Sequence, residues 1–323
     1  MNTPAKKFEW LLRRELWEHK GMVVWAQLVV AAIIFALVAG ALLLGQNMSY
    51  SEDGVRLFSM REKMMDESVR QVFSDMAPQM YLVTAAPLYI MLGFLVFFYC
   101  LGALHDDRRD RSLLFWKSLP VSDHMTVLSK VAVALVVTPA VTMLIGTALS
   151  LGVILLLCLK MAFMGVNAFG ALLSSPEFYL APVRALGLLP VYALWALPTV
   201  GWLLMVSSWA RSKVFLWAVG VPLGAAVLIA WTNRIFALGW NSGWFMEHIV
   251  ARILGGVAPG VWFAFSRIEP GEVVRAGGKH QAAGDLFLAS WGTLATGTLW
   301  AGVAAGVAMI AVAVWMRRWR EEG

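Results

Sequence analysis

Long apolar runs separated by short polar stretches dominate the chain. Six runs, at 22–44, 81–104, 131–159, 185–210, 214–230 and 286–316, contain no Asp, Glu, Lys, Arg or His. A bilayer core about 30 Å thick needs roughly 20 apolar residues in a helix, so each run reads as a transmembrane helix. The third and sixth are longer than a perpendicular span requires and are expected to tilt, kink or project from the membrane. Pro139 offers a kink in the third. The apolar stretch at 253–265 is too short to span, and Gly255, Gly256, Pro259 and Gly260 interrupt it. The segment 244–265 is therefore read as a re-entrant or interfacial element before the last span, with a seventh span as the alternative. Upstream, Val55, Phe58, Met65, Val69, Val72 and Met76 recur every three or four residues. That spacing predicts an amphipathic helix over 53–76, bounded by Pro78, in an outer loop at 46–80.

Composition agrees with the pattern. Of the 323 residues, 60% are hydrophobic and only 14% charged. Soluble domains carry about 25% charged residues, so lipid must serve as part of the solvent. The expected fold class is all-α, a polytopic membrane helix bundle forming a single domain over 1–323. The first apolar run is too long for a signal-peptide core and is read as a retained span. Cys100 and Cys158 lie in apolar runs and make neither a disulfide framework nor a metal motif.

The net charge of +6 reads as a topology signal, with no call for a nucleic-acid partner. With the amino terminus inside, the inner segments hold 15 of the 26 basic residues against nine acids, and the outer segments hold 11 of each. Lysine and arginine prefer the cytoplasmic side, so both ends are expected in the cytoplasm. A multi-pass protein of a plasma membrane, such as a bacterial inner membrane, follows. A seventh span would place Arg317, Arg318 and Arg320 outside, which counts against it.

No HExxH, GxSxG or GxxxxGK[ST] occurs, and His19, His105, His124, His248 and His280 are scattered without metal-ligand spacing. Neither a catalytic residue, a metal site nor a directly bound cofactor is expected. The apolar runs offer only neutral polar groups, such as Gln27, Thr142, Ser150 and Thr199. Proton relays in a bilayer need titratable groups, so any transport is expected to draw its energy from elsewhere.

Two inner segments look built for contact. In KKFEWLLRRELWEHK (6–20), Phe8, Leu11, Leu12 and Leu16 share a helical face flanked by Trp17, opposite Arg13, Arg14 and Glu18; Glu15 lies between them. This predicts an interfacial helix over 1–20. The loop at 105–125 opens with Asp106, Asp107, Arg108, Arg109, Asp110 and Arg111. After Ser112 comes an apolar helix containing Phe115, Trp116 and Leu119, stopped by Pro120. Ser122 is placed to cap the third span, with Asp123 at that helix's positive end. Exposed Phe and Trp without a core of their own must rest on lipid or on a protein, and aromatic and Arg side chains anchor interfaces.

The stretch DDRRDRSLLFWKSLPVSDHMTVLSK (106–130), with its S-L-P-V-S turn at 118–122, resembles the cytoplasmic loop of ABC type-2 permeases. LLRRELWEHKG (11–21) resembles the same family's elbow helix. Asp110, Arg111 and Ser112 stand where that family commonly has an acidic residue followed by Gly-Thr. The resemblance implies the transmembrane subunit of an ABC exporter, paired with a second permease chain as a homo- or heterodimer. Two copies of a separate ATPase subunit would use the ATP. Residues 106–119 would be the coupling helix, and 231–285 an outer loop holding the re-entrant element. The alternatives are an ATPase-independent carrier or channel and a non-transporting membrane scaffold. Neutral spans suit lipids, peptides or amphipathic drugs better than small ions.

Overall fold

A computed structural model describes residues 4–44, 67–109, 122–163, 168–236, 239, 241–269 and 282–319. Among these the chain is all helix and connecting turns, with no strand. The helices are α1 (Pro4–Glu18), α2 (Ala26–Leu44), α3 (Glu67–Ala103), α4 (His105–Arg109), α5 (Asp123–Ala132), α6 (Thr138–Phe163), α7 (Ala168–Ser174) and α8 (Pro176–Gly187). They continue with α9 (Leu189–Trp209), α10 (Val214–Phe236), α11 (Ser242–Phe245), α12 (Ala251–Gly255), α13 (Val261–Ser266), α14 (Ala282–Gly292) and α15 (Gly297–Trp319).

Among the described residues six helical stretches are long and apolar enough to cross a membrane: Gly21–Leu43, Met80–Arg109, Asp123–Phe163, Phe178–Trp209, Val214–Phe236 and Gly297–Arg317. The protein is a polytopic, multi-pass membrane bundle. Apolar side chains point outward along five of the six spans, as lipid permits: Ile33, Ile90, Leu155, Val227 and Val307 are all more than half exposed. Successive spans run up and down, so α1, the α3–α4 junction, the start of α5 and the end of α15 gather at one end. We call this the charged end and its opposite the far end.

Span α9 is the axis of the core. Trp195, Tyr192, Leu203 and Leu204 on it are fully buried, and α15 lies against it along most of its length. The closeness comes from two glycines. A Cβ on Gly201 would sit 2.6 Å from the Gly306 carbonyl oxygen, and one on Gly306 2.8 Å from that of Leu197. Lipid tails are as apolar as the helices, so such backbone-to-backbone packing supplies association where the hydrophobic effect cannot.

Several boundaries depart from the sequence expectation. The sixth run, 286–316, is two elements: α14 ends at Gly292, a 3₁₀ turn follows at Thr293–Ala295, and Thr296 is extended before α15 begins. Tertiary hydrogen bonding fixes the break, since the Trp195 indole N–H donates to Thr293 Oγ1 at 3.0 Å. The third span carries a wide π-type turn at Val133–Val137, just before Pro139, whose missing N–H cannot complete a regular turn. Pro78 does not bound a helix, because α3 runs through both Pro78 and Pro87. The expected amphipathic helix over 53–76 lies largely outside the described residues. Sequence patterning gave no sign of α7 and α8, which extend the fourth span at the far end.

Candidate functional site

At the charged end a buried ion cluster ties four segments together. Lys130 lies about two turns into the third span, and its Nζ donates to Glu15 Oε1 of α1 at 2.9 Å. The same ammonium is 3.3 Å from Asp107 Oδ2 of α4. Arg317, near the end of α15, pairs with Asp107 at 3.7 Å and with Asp123 at 3.3 Å. Tyr99 Oη donates to Glu15 Oε2 at 3.2 Å, and the His19 ring meets the Tyr99 ring edge-on at 4.9 Å. Glu15 and Lys130 are each 1% exposed. Buried charges persist only when paired and hydrogen-bonded, and this group alternates acid and base across Glu15, Lys130, Asp107, Arg317 and Asp123.

Beside it, the base of the 105–125 loop is clamped to the end of α9. Ser207 Oγ accepts from the backbone N–H of Leu104 at 3.1 Å and of His105 at 3.0 Å. Arg108 donates to the Ser207 and Ala210 carbonyls, the latter at 3.1 Å. The turn between α3 and α4 breaks the helical ladder, and Ser207 receives the freed donors. Ser122 caps α5 as its sequence position predicts, accepting from Met125 N–H at 3.4 Å.

The sequence-singled residues divide as follows. On α1, Phe8, Leu12 and Arg14 are half-buried and Leu11 is buried, whereas Arg13 and Trp17 are exposed. Arg13 lies 5.8 Å from the Trp10 ring and Lys20 5.0 Å from the Trp17 ring. Glu15 is buried, which the apolar pattern of α1 gave no reason to expect. Asp107 and Arg108 bond within the chain, while Asp106 and Arg109 are exposed. Asp110, Arg111, Ser112, Phe115, Trp116, Leu119 and Pro120 lie outside the described residues. The apolar runs hold no Asp, Glu, Lys, Arg or His, but the helices outrun them, so the spans take in charged residues that include Asp107, Asp123, Lys130, Arg184 and Arg317.

At the far end, the 244–265 segment folds back on itself. Helix continues from α11 through a π-type turn at Met246–Val250 into α12, turns at 256–260, and resumes as the six-residue α13. Gly260 makes the turn at φ +83°, a left-handed conformation that glycine adopts without strain. The seventh-span alternative fails, since neither arm is long enough to cross. Tyr192 Oη donates to the Val257 carbonyl at 3.1 Å and Thr199 Oγ1 to that of Arg252 at 2.8 Å, seating the turn against α9. Arg252 pins it to the last span. Its guanidinium donates to the carbonyls of Thr298 at 2.6 Å and Leu299 at 3.3 Å, and lies 4.7 Å from the Trp195 ring centre. Burial lowers the pKa of this guanidinium, yet arginine stays charged in proteins. The cation–π contact and two carbonyls therefore take the place of a counter-ion.

A cavity of about 940 Å³ opens between α3, α8, α10, α14 and this hairpin. Its wall is aliphatic and aromatic apart from a few polar groups, Arg184 among them. Comparisons of the chain with family models, curated proteins and solved structures give no match.

The described residues contain no group of His, Cys, Asp or Glu that could hold a metal ion. What the arrangement offers is mechanical and electrostatic. At the charged end, the short helix α4, the amphipathic α1 and two spans are joined through buried charges. At the far end, a hairpin is inserted beside an apolar cavity. Sequence reasoning missed the Glu15–Lys130 pair. Its one available signal was a lone lysine directly preceding an apolar run.

Proposed function

We infer that the chain is the permease subunit of an ABC exporter, working with a second permease chain and with a separate ATPase that binds and hydrolyses ATP. The observation that carries this reading is the ion cluster. It joins the foot of the 105–125 loop, through Asp107, to α1, to the third span and to the last span. A push on that loop is thereby delivered at once to α1 and to two membrane spans, which is what coupling to an external ATPase requires. Allosteric transmission of this kind needs packed elements with two discrete arrangements, and buried charge networks switch in discrete steps because half-made pairs are costly. The two motifs at 11–21 and 106–130, which resemble the elbow and coupling loop of type-2 permeases, support the same reading. The charged end is then the cytoplasmic one, in agreement with the lysine and arginine bias.

In this scheme Phe115 and Trp116 fill an apolar groove on the ATPase. Asp106, Arg109, Asp110 and Arg111 form the polar rim, and Arg108 serves the permease itself by clamping the loop to α9. The test is a Phe115→Ala/Trp116→Ala variant purified from membranes in mild detergent. Loss of a co-purifying ATPase, with the permease still monodisperse, is the expected result. Undiminished co-purification refutes the role given to the loop.

A further inference from the structure

The outward face of α1 carries a repeat. Trp10 and Arg13 recur seven residues on as Trp17 and Lys20, and Lys6 stands four residues before the first of them. Steps of three and four residues keep to one side of a helix, so Lys6, Trp10, Arg13, Trp17 and Lys20 form one stripe of alternating cation and indole. All five are exposed, and the stripe lies opposite Leu11 and Glu15, the residues that α1 buries. Arg13 sits 5.8 Å from the Trp10 ring centre and Lys20 5.0 Å from that of Trp17. A cleft lined by Trp10, Arg13, Arg14 and Trp17 lies between the two indoles. Among the described residues none of Lys6, Arg13 and Lys20 meets a carboxylate. Glu18 is 3.5 Å from Arg14, and Glu9 stands exposed beside the stripe. Counting Lys7 and Arg14 with these two acids on its flanks, the face stays net positive.

The stripe does not end with α1. The π-type turn at Gly21–Trp25 takes in one residue more than an α-turn, which carries the row from Lys20 to the exposed Trp25. Val29 and Ile33 follow on α2 at four-residue steps, each more than half exposed, on the side of the first span that lipid covers.

We propose that this stripe binds anionic phospholipids of the adjoining leaflet, with their phosphates and acidic headgroups among Lys6, Arg13 and Lys20 and with Trp10 and Trp17 at headgroup depth. The cations lack acids within the chain, and the leaflet supplies them: lysine and arginine beside a membrane gain from negatively charged lipid. Indoles favour that same level, being apolar in body with one N–H to satisfy. The row passes without a break into a lipid-facing one, so the surface that covers Trp25 and Val29 is the one that reaches Trp17 and Trp10. A folded protein seated on α1 would have to stop at that boundary. Because Glu15 is on the opposite side of the same helix, lipid held here also steadies α1 against Lys130. The assignment concerns lipid alone and does not rest on coupling to an ATPase.

The full chain, purified in detergent and stripped of lipid, is offered phosphatidylglycerol or phosphatidylcholine with the same acyl chains and examined by native mass spectrometry. Phosphatidylglycerol is expected to be retained about tenfold better. Lys6→Gln/Arg13→Gln/Lys20→Gln should abolish that preference, whereas Lys6→Arg/Arg13→Lys/Lys20→Arg should keep it. Trp10→Ala/Trp17→Ala should weaken retention of both lipids. In membranes, Trp17→p-benzoylphenylalanine should cross-link to phospholipid on illumination. Equal retention of the two lipids by the unaltered chain overturns the proposal, as does a preference that survives the glutamine changes. Retention untouched by the alanine changes overturns the place given to the indoles. Cross-linking of position 17 to protein in place of lipid assigns the surface to a partner chain and overturns it too.

Discussion

Lys130 and Glu15, 115 residues apart in sequence, meet at 2.9 Å with both side chains withdrawn from solvent. The contact fixes α1 against the third span, and through Asp107 it reaches the foot of the 105–125 loop. Removing one member strips the other buried charge of its nearest partner. Lys130 keeps Asp107 at 3.3 Å and Glu15 keeps Arg14 at 3.6 Å. The cost should then fall below the roughly 3–5 kcal/mol of a fully unpaired buried charge, whereas apolar replacement of both is often tolerated. Lys130→Met alone and Glu15→Leu alone should therefore each lower the unfolding temperature in detergent. The double variant should recover part of the loss, since Asp107 then keeps Arg317. Additive losses would show that the two residues act independently.

The Ser207 hydroxyl receives two backbone N–H groups at the α3–α4 turn. Ser207→Ala strands both donors at a cost of about 1–3 kcal/mol each. Local opening should follow, read as faster tryptic cleavage after Arg108 or Arg109 with the spans intact. Cleavage at the unaltered rate would mean that the loop is held by other contacts.

The far-end hairpin depends on Arg252 passing beside Gly302. A Cβ on Gly302 would lie 2.1 Å from an Arg252 guanidinium nitrogen. Gly302→Val should displace the guanidinium and release the turn. Hydrogen exchange at 255–260 should rise, and Arg252→Met should raise it similarly. In the double variant the two effects should fall short of their sum, because both act through one contact.

Spans α9 and α15 touch through Gly201 and Gly306. Overpacking a close helix contact costs about 1–3 kcal/mol, so Gly201→Val should lower thermal stability in detergent by at least that much. Gly224, which has open space at its Cβ, is the control: Gly224→Ala should leave the unfolding temperature unchanged or slightly raised.

Much of this fold was legible because a bilayer imposes a length and a composition on every span. The runs at 22–44 and 214–230 correspond to helices within a few residues, and Gly255, Pro259 and Gly260 announced the hairpin turn. Ser122 declared its cap for an equally local reason. Features set by distant partners were hidden. The break at Thr293–Thr296 lies in a stretch as apolar as its neighbours, and the Trp195 hydrogen bond to Thr293 gives its place away only in three dimensions. Glu15 lay among Arg13, Arg14 and Glu18 and looked like one more surface charge, since its partner is on another helix. Pro78 suggested a boundary on local grounds, yet α3 continues through it.

The orientation of the charged end decides whether an ATPase in the cytoplasm can reach the cluster-bearing loop. Single cysteines replace Asp106, Arg109 or Trp244 in a chain whose Cys100 and Cys158 are changed to Ala, and intact cells are treated with a membrane-impermeant maleimide. A cytoplasmic charged end predicts that positions 106 and 109 label only after the membrane is opened, while position 244 labels from outside. Labelling of 106 and 109 in sealed cells, with 244 protected, would contradict it.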